Sequence, residues 1–232
     1  MPGSGFPKFA TLGDRALVVH LGDQIDAPTF RAIRSLGRQL ETKPPVGMIE
    51  FVPAFTTVAI YYDLLRSSEA ELISHISDLM AGHDSAAEPE PRLVEIPVCY
   101  GGEFGCDLEF VAKHAKLTEQ EVVEIHSSAD YLVHMIGFAP GFPYLGGMSP
   151  RIAAPRRGSP RLKIPAGSVG IAGNQTGIYP LETPGGWQLI GRTPLALFRP
   201  EQDPPTLLEA GDIVRFRPIT PEQFRQLSEQ PA

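Results

Sequence analysis

The most informative part of this chain reads H-M-I-G-F-A-P-G-F-P-Y-L-G-G (134–147), then G-S-V-G-I-A-G-N-Q-T-G-I-Y-P (167–180) and P-G-G-W-Q-L-I-G-R-T (184–193). Gly and Pro make up about a third of residues 134–193, against about an eighth of average proteins. Apolar and aromatic residues are nevertheless interleaved throughout, which is not the composition of a disordered segment. The pattern predicts short strands joined by tight turns, in which Gly supplies positive φ and Pro fixes φ. It is typical of a binding site built from loops on a β scaffold.

The regions that flank this stretch extend the β pattern. Further strands are predicted over residues 131–138, 195–198 and 212–218, and short helices over residues 107–115 and 118–126. The second of these helices is expected to begin at Thr118, with Glu121 at the capping-box position. Short strands at roughly ten-residue spacing are typical of a closed barrel. We therefore expect a mainly-β barrel domain over residues 91–232.

The first 90 residues alternate strands with helices. Successive elements are predicted over residues 9–21, 26–43, 47–52, 55–62, 67–80 and 93–98, and the first strand is preceded by a turn at Gly13-Asp14. The two helices are expected to begin at side-chain caps, the first at Asp26 or Thr29 and the second at Ser67 or Ser68 with Glu71 at capping-box distance. The order β-α-β-β-α-β is that of a split βαβ unit, an antiparallel sheet with both helices on one face. Residues 1–90 are therefore expected to form a compact α+β domain, with a polar loop over residues 82–92. The pattern leaves open whether the strand at 93–98 joins this sheet or begins the second domain.

The composition limits the classes of partner. The 232-residue chain carries a formal net charge of −7 and has no long basic tract, which argues against nucleic acid and against an anionic membrane as partners. One local basic cluster is an exception, and it comprises Arg151, Arg156, Arg157, Arg161 and Lys163. Two interpretations of this cluster stay open. It is either a solvated loop, or a small anion site or rim that meets an acidic partner.

The N-terminus and the cysteines give no sign of export. The N-terminus lacks the apolar core of a signal peptide, and no apolar run approaches the length that crosses a bilayer. The two cysteines, Cys99 and Cys106, have a spacing that fits neither a disulfide framework nor a redox or zinc motif. We therefore expect a cytoplasmic protein.

Several common chemistries find no support in the sequence. No G-x-x-x-x-G-K-[ST] loop or G-x-G-x-x-G fingerprint is present, and the six histidines show no metal-binding spacing. Ser168 lies in A-G-S-V-G, but no histidine follows residue 134, so the usual order of a hydrolase triad is impossible. We therefore predict no metal centre, no conventional nucleotide cradle and no serine nucleophile.

The polar groups that remain in the Gly-rich stretch are uncharged apart from one cation. They are Ser168, Asn174, Gln175, Thr176, Tyr179, Trp187, Arg192 and Thr193. Amide, hydroxyl and guanidinium groups of this kind orient a small polar substrate and stabilise negative charge that develops on a carbonyl oxygen. No general base with an activating partner stands among them. The sequence thus predicts a contribution to an active site that is shared with another polypeptide.

Six motifs of this chain closely resemble one known family. They are Y-G-G-E-F-G-x-D-L (100–108), H-S-S-A-D-Y (126–131), G-F-A-P-G-F-P-Y-L-G-G (137–147), P-R (155–156), A-G-S-V-G-I-A-G-x-Q-T-G-I-Y-P (166–180) and P-G-G-W-Q-L-I-G-R-T-P (184–194). With L-G-D-R-A-L near the start, they resemble the 5-oxoprolinase B-subunit family (PxpB), which includes the sporulation kinase inhibitor KipI and allophanate hydrolase subunit 1. The resemblance extends over nearly the whole chain. Cys106 departs from the proline that relatives often carry at this position.

The resemblance implies both a fold and an activity. The fold is an N-terminal ferredoxin-like α+β domain followed by a mainly-β, cyclophilin-like barrel domain. The activity is the ATP-dependent opening of 5-oxoproline to L-glutamate, in which this chain would act with the A and C subunits of 5-oxoprolinase, the C subunit being another barrel protein, and would be inactive alone. ATP would be a co-substrate of the complex, and the sequence does not place its site. By the family's proposed chemistry, ATP phosphorylates the lactam oxygen and water then attacks, so this chain needs no nucleophile.

Site residues are chosen from the family motifs and from the polar groups of the Gly-rich stretch, and the resemblance does not itself establish their roles. The expected catalytic groups are Gln175, Tyr179 and Arg192, and Arg192 is expected to face a carboxylate or a phosphate. Substrate-binding residues are expected at Phe138, Gly141, Phe142, Tyr144, Ser168, Gly173, Thr176, Gly186, Trp187 and Thr193. The aromatic members would form the walls of a pocket, and the glycines would shape it.

Two alternative functions remain open. A KipI-like protein would inhibit a sensor histidine kinase, and the surface of the barrel rather than its pocket would then matter. A carboxyltransferase-type subunit related to urea carboxylase or allophanate hydrolase would require a biotinylated partner. This sequence has nothing that resembles a biotin-acceptor lysine motif.

Overall fold

The computed structural model describes residues 5–82 and 90–229. The chain divides into two compact units, Met1–Pro89 and Glu90–Ala232. Each unit has its own hydrophobic core. Most of the polar loop predicted over residues 82–92 lies outside the described residues. No helix in the described parts of the chain is long and apolar enough to cross a membrane.

The first unit is a four-stranded antiparallel sheet with two helices. Its elements are β1 (Lys8–Leu12), β2 (Ala16–His20), α1 (Ala27–Thr42), β3 (Met48–Pro53), β4 (Thr57–Tyr62) and α2 (Glu69–Ala81). The strands lie in the order β1-β2-β4-β3. Both helices begin at the predicted caps: the Asp26 carboxylate accepts a hydrogen bond from the Thr29 N–H, and Ser68 forms a capping box with Glu71.

The core of the first unit lies on one face of this sheet. Alternate residues of a strand point to opposite faces, and the buried set on the two central strands includes Leu17, Val19, Val58 and Ile60. These side chains pack with apolar residues of both helices in one cluster. Both helices therefore pack against the same face of this sheet.

The edge of the sheet beside β2 differs from the sequence-based expectation. The expected turn at Gly13-Asp14 is present, with φ of 61° at Gly13. The residues before this turn, which were not assigned to a strand of their own, form β1, and β1 pairs with β2 along its whole length. The strand at 93–98, whose assignment the sequence left open, belongs to the barrel of the second unit. Antiparallel strands can be joined by a turn of a few residues. The neighbouring segment β1 therefore occupies the sheet edge beside β2, and the more distant strand at 93–98 does not.

The second unit is built around a closed barrel of seven strands, as the short-strand pattern predicted. They are β5 (Leu93–Tyr100), β6 (Asp130–Ile136), β7 (Pro143–Gly146), β9 (Ser168–Ala172), β10 (Gln175–Ile178), β12 (Gln188–Arg192) and β13 (Ile213–Pro218). Their order around the barrel is β10-β7-β6-β13-β5-β12-β9. β5 and β13 pair in parallel, whereas the other barrel pairs are antiparallel. A separate ribbon pairs β8 (Arg161–Ile164) with β11 (Thr183–Gly185).

Three helices complete the second unit: α3 (Leu108–Ala115), α4 (Glu119–Ser127) and α5 (Pro221–Ser228). Helix α4 begins at the predicted capping box of Thr118 and Glu121. Helix α3 packs against β12 and α4 packs against β13. Their buried residues, including Val111 and Val122, join the barrel residues in one core.

The strand predicted over residues 195–198 is wrong. This segment forms only an isolated bridge between Phe198 and Thr206, although Leu197 is buried as an apolar pattern requires. Pro194 and Pro200 flank the segment, and proline has no N–H to donate to a neighbouring strand. The apolar residues are therefore held by burial without a ladder of backbone hydrogen bonds.

Candidate functional site

A cavity of about 170 Å³ opens on the second unit, at the side of the barrel formed by β7 and β10 and next to the β8–β11 ribbon. Its lining residues are Phe138, Phe142, Tyr144, Arg156, Gln175, Tyr179, Pro184, Gly185, Gly186 and Trp187. Seven of the predicted site residues are thus brought together here. They come from all three runs of the Gly-rich stretch, because β10, the segment before β7 and the segment before β12 converge on this side of the barrel.

Phe142 is the centre of the aromatic wall. Its ring centroid lies 5.5 Å from that of Phe138, 5.2 Å from Tyr144, 5.9 Å from Tyr179 and 5.8 Å from Trp187. All four pairs are edge to face, which is a favourable geometry for aromatic rings. Phe142 is only 3% exposed. The wall is therefore a packed, preformed surface.

Phe138 stands apart from the rest of this wall. It is 72% exposed, and it is a non-glycine residue with φ of 70°. A bulky residue in the left-handed region is strained, and such residues cluster at functional sites. The turn is held by hydrogen bonds from Gly137 N–H to Phe142 O at 3.0 Å and from Phe142 N–H to Ala139 O at 3.0 Å. The fold thus holds an exposed aromatic side chain at the mouth of the cavity.

Two glycines keep space for the aromatic side chains. A Cβ on Gly177 would lie 3.0 Å from the Phe142 ring and 3.2 Å from the Trp187 ring. A Cβ on Gly185 would lie 2.5 Å from the Tyr179 hydroxyl oxygen, which is closer than real contacts allow. Here glycine is required for close approach.

The polar groups that line the cavity are the amide of Gln175, the phenols of Tyr144 and Tyr179, the indole N–H of Trp187 and the guanidinium of Arg156. Gln175 is half-buried at the start of β10. Burial raises the pKa of Tyr179, while a backbone hydrogen bond from Trp187 and the nearby Arg156 and Arg161 oppose that rise. The Tyr179 hydroxyl therefore stays protonated at neutral pH and can donate a hydrogen bond.

The basic cluster divides into members with different surroundings. Arg156 lines the cavity. Arg157 and Arg161 instead pair with Asp107, at 3.2 Å and 2.7 Å, and Lys163 pairs with Glu182 at 3.1 Å. Arg151, Arg156, Arg157 and Lys163 are exposed, as the interpretation as a solvated loop requires, and Arg161 is half-buried. The interpretation as an anion site stays a prediction.

Asp107 is, like Arg156, a charged residue beside the cavity that was not among the predicted site residues. It occupies the N-cap position of α3, where its carboxylate makes no capping bond. The carboxylate is buried and also accepts a hydrogen bond from the Leu189 N–H at 2.7 Å. A sequence pattern cannot separate this role from capping, because Asp immediately before a helix is the common cap residue.

The other predicted site residues do not line the cavity. The Ser168 hydroxyl donates to Pro165 O at 2.7 Å, the Thr193 hydroxyl accepts from the Leu195 N–H at 3.2 Å, and Arg192 Nε donates to Ala166 O at 2.9 Å. Gly141 and Gly173 have φ of 80° and 58° and occupy turns. These contacts are internal to the fold, and any role of these residues in catalysis stays a prediction.

Thr176 lies on the interior side of β10, in a chain of buried hydrogen bonds. Its hydroxyl donates to Gly170 O at 3.1 Å and contacts His126 Nε2 at 2.9 Å, while Tyr100 Oη lies 2.8 Å from His126 Nδ1. Because the one hydroxyl proton of Thr176 goes to Gly170, Nε2 must carry the imidazole proton and Nδ1 must accept from Tyr100. Burial lowers the pKa of His126 to about 3, so this ring is neutral.

The groups found in the described structure define what the cavity can do. No cluster of three or more His, Cys, Asp or Glu side chains that could hold a metal ion occurs among residues 5–82 and 90–229. The cavity offers flat aromatic surfaces, one cation and four neutral side chains with hydrogen-bonding groups, namely Tyr144, Gln175, Tyr179 and Trp187. It can bind and orient a small planar ligand with a negative group, but the described residues that line it include no carboxylate or imidazole that could remove a proton.

Comparison with known proteins places the chain in a family. Residues 7–208 match the family described as carboxyltransferase domain, subdomain C and D. The B subunit of 5-oxoprolinase from Bacillus subtilis is 50% identical over 229 residues, covering 94% of this chain and 95% of that protein. The chain belongs to the 5-oxoprolinase B-subunit family. The Escherichia coli O157:H7 protein of the same name is 46% identical, covering 89% of this chain and 94% of that protein.

A solved structure, that of TTHA0988, confirms the fold. It superposes with a TM-score of 0.79 at 36% identity and covers 88% of this chain. The match to the present chain covers only 40% of the solved TTHA0988 chain. The same fold therefore also occurs as one part of a longer polypeptide.

Proposed function

We propose that this chain is the B subunit of an ATP-dependent 5-oxoprolinase, which converts 5-oxoproline to L-glutamate together with the A and C subunits. We propose further that the chain has no activity without these subunits and that the complex is cytoplasmic. The observation that carries the proposal is the 50% identity to a 5-oxoprolinase B subunit along nearly the full length of both chains. The cavity agrees with it, because a fully formed aromatic pocket without a general base suits a protein that completes its active site with a partner.

The cavity is proposed to hold the lactam ring. One water adds to the lactam carbonyl carbon and the ring C–N bond breaks, with the ring nitrogen taking up a proton to become the amine of glutamate, while a second water is consumed as ATP is converted to ADP and phosphate. Negative charge develops on the lactam oxygen as the water adds to the carbonyl carbon. The Gln175 amide and the protonated Tyr179 hydroxyl can donate hydrogen bonds to that oxygen, and both line the cavity. Phe142 and Trp187 exclude water from the ring. These four residues are the substrate contacts that we propose.

ATP is proposed to bind elsewhere in the complex. A cavity of about 170 Å³ is smaller than the roughly 300 to 1,000 Å³ typical of sites for larger ligands. It suits a five-membered ring with one substituent. The residues of this cavity therefore do not fit a nucleoside triphosphate, and the A and C subunits are the proposed sources of the ATP site.

The fold supports a finer proposal. The order of β2, α1, β3, β4 and α2 agrees with a ferredoxin-like domain over residues 1–90, in which β1 takes the edge position that the last strand would occupy. The closed barrel agrees with a cyclophilin-like domain over residues 91–232. Expressing residues 91–232 alone tests the boundary, because a correct boundary yields a cooperatively folded barrel.

Reconstitution tests the proposed function. The A and C subunits are mixed with this chain, ATP and 5-oxoproline, and glutamate is measured, with this chain omitted as the control. We expect glutamate formation only in the complete, ATP-containing mixture. Equal glutamate formation without this chain would exclude the proposal.

The family description favours a second candidate, a carboxyltransferase-type protein that acts with a biotinylated partner. Transfer of a carboxyl group from carboxybiotin to a small amide, observed without the A and C subunits, would support it. Inhibition of a sensor histidine kinase also stays a prediction. A loss of kinase autophosphorylation upon addition of the purified chain would support that function instead.

A further inference from the structure

Arg156 differs from the two arginines that follow it in the basic cluster. Arg157 and Arg161 share the buried Asp107 carboxylate. Among residues 5–82 and 90–229, no carboxylate forms an ion pair with Arg156, although this arginine lines the cavity. One Asp thus holds its neighbours in place, and the guanidinium of Arg156 remains available to a ligand.

The backbone on both sides of Arg156 is fixed by hydrogen bonds. The Gln188 side chain donates to Pro155 O at 2.9 Å, and the Arg157 N–H donates to Gly186 O at 2.7 Å. Ala154, two residues before Arg156, forms an isolated β-bridge with Gly173. The position of Arg156 is therefore set by the same segments, before and within β12, that form the cavity wall. Such preorganisation lowers the entropic cost of binding a ligand.

The remainder of the cavity defines the body of that ligand. Flat aromatic rings from Phe142 and Trp187 form the walls, and Gln175 adds a group that both donates and accepts hydrogen bonds. A guanidinium matches a carboxylate with two parallel hydrogen bonds. The complementary molecule is a small ring that carries an amide and, at another ring atom, a carboxylate.

We propose that Arg156 is the carboxylate-binding residue of the aromatic cavity and that it selects small cyclic amides that carry an acid group over uncharged ones. The inference rests on the proposed function for its biological substrate, 5-oxoproline, whose carboxylate would contact Arg156 while its lactam group lies against Gln175 and Tyr179. Arg156 then acts in binding and selection, and the bond that breaks lies at the opposite side of the ring.

Calorimetric titration of the isolated full-length chain tests this assignment with two ligands. 5-Oxoproline carries the acid group, and 2-pyrrolidinone is the same lactam without it. We expect 5-oxoproline to bind at least about 10-fold more tightly, as is typical for a hydrogen bond to a charged group. Arg156→Gln should weaken 5-oxoproline binding by about 10- to 100-fold and leave 2-pyrrolidinone binding unchanged. Arg151→Gln, which removes the same charge from an exposed position outside the cavity, should change neither.

Each outcome of the titration decides the assignment. Equal binding of both ligands, binding of neither ligand, or an equal effect of Arg151→Gln and Arg156→Gln on 5-oxoproline would overturn it. In the reconstituted mixture, Arg156→Gln should raise KM for 5-oxoproline with little change in kcat. A chain that binds 5-oxoproline through Arg156 but does not restore glutamate formation would refute the proposed function and retain the carboxylate site. Conversely, glutamate formation that is restored by the chain and is unchanged by Arg156→Gln would support the proposed function and refute the carboxylate site.

Discussion

The two sides of strand β10 use polar residues in opposite ways. Thr176 points into the barrel, where its hydroxyl is bonded to both Gly170 and His126. Gln175, one residue earlier, points to the cavity, which it shares with Arg156 and Tyr179. Adjacent residues of a strand face opposite sides. One side of β10 therefore contributes to an interior network of hydrogen bonds, and the other side contributes to a cavity that can bind a ligand.

This difference shows how structural polar groups can be told from ligand-binding ones. In the interior each donor has an acceptor, and the buried imidazole is neutral, so nothing is left for a ligand. At the cavity a cation lies beside aromatic surfaces and, in the part of the chain that the structure describes, forms no ion pair. Substitutions in the interior network should therefore lower the stability of the fold, whereas substitutions of the groups that line the cavity should weaken ligand binding.

Asp107→Ala should give the largest effect, because it removes the acceptor that supports the cavity side. The change leaves the partly buried Arg157 and Arg161 without their carboxylate and the Leu189 N–H without an acceptor. We expect a loss of about 3 kcal/mol in the free energy of unfolding. Urea denaturation followed by the fluorescence of the single tryptophan, Trp187, measures it in the second unit.

A matched control for Asp107 is an acid in an exposed ion pair. Asp130 pairs with Arg215 at 2.7 Å, and both side chains are about half exposed (47% and 44%). Asp130→Ala should be far less destabilising, because exposed pairs contribute little. Asp107→Ala should also weaken 5-oxoproline binding, since the segment that carries Arg156 loses its support. Equal destabilisation by the two variants would contradict the supporting role of Asp107.

The pH dependence of stability probes the interior network. The pKa of His126 is about 3 in the folded chain and about 6.5 in an unfolded one. The unfolded state thus binds more protons in this range, so stability is complete above about pH 6.5 and falls as the pH drops towards 3. At pH 5 the loss should be about 2 kcal/mol. His126→Gln should lack this component in the Trp187-monitored denaturation, whereas exposed His114→Gln should retain it.

Much of the fold followed from local patterns in the sequence. The caps at Asp26, Ser68 and Thr118 and the alternation in β2 and β4 are set by neighbouring residues, so they could be predicted. The partner of a strand depends on distant segments. For that reason the pairing of β1 and the entry of residues 93–98 into the barrel were not predictable from pattern alone.

The site was predictable in part for the same reason. The aromatic walls stood out as bulky residues in a Gly-rich stretch, and Phe138, Phe142, Tyr144 and Trp187 all line the cavity. The sequence did not identify Arg156 as the cation of the cavity. Arg156 differs from Arg157 and Arg161 because they pair with Asp107, and these ion pairs are visible only in the folded structure. Polar side chains on strands alternate between interior and cavity, and the sequence did not reveal which set faces which side.

Thr176→Val should sharpen the comparison by removing one hydroxyl from the interior. The variant keeps the shape of the side chain but leaves His126 Nε2–H and Gly170 O without their partner. We expect a loss of about 1 to 2 kcal/mol in stability and less than a twofold change in 5-oxoproline affinity. Thr176→Ser, which retains the hydroxyl, should lose less. If valine were as stable as threonine, the network would not be a source of stability.

Arg192→Gln should have the smallest effect and separates the two cations that could serve the substrate. Arg192 was expected to face a carboxylate or phosphate, yet it lies outside the cavity lining, and its Nε donates to Ala166 O at 2.9 Å. The bond from the Arg192 guanidinium to Ala166 O is exposed to solvent, and a glutamine amide can still donate a hydrogen bond to this carbonyl, so stability should change little. In the titration we expect less than a twofold change for 5-oxoproline, against at least about 10-fold for Arg156→Gln. A strong loss of glutamate formation with unchanged binding would instead give Arg192 a role in the assembled active site, where a phosphorylated intermediate or another polypeptide of the complex could reach it.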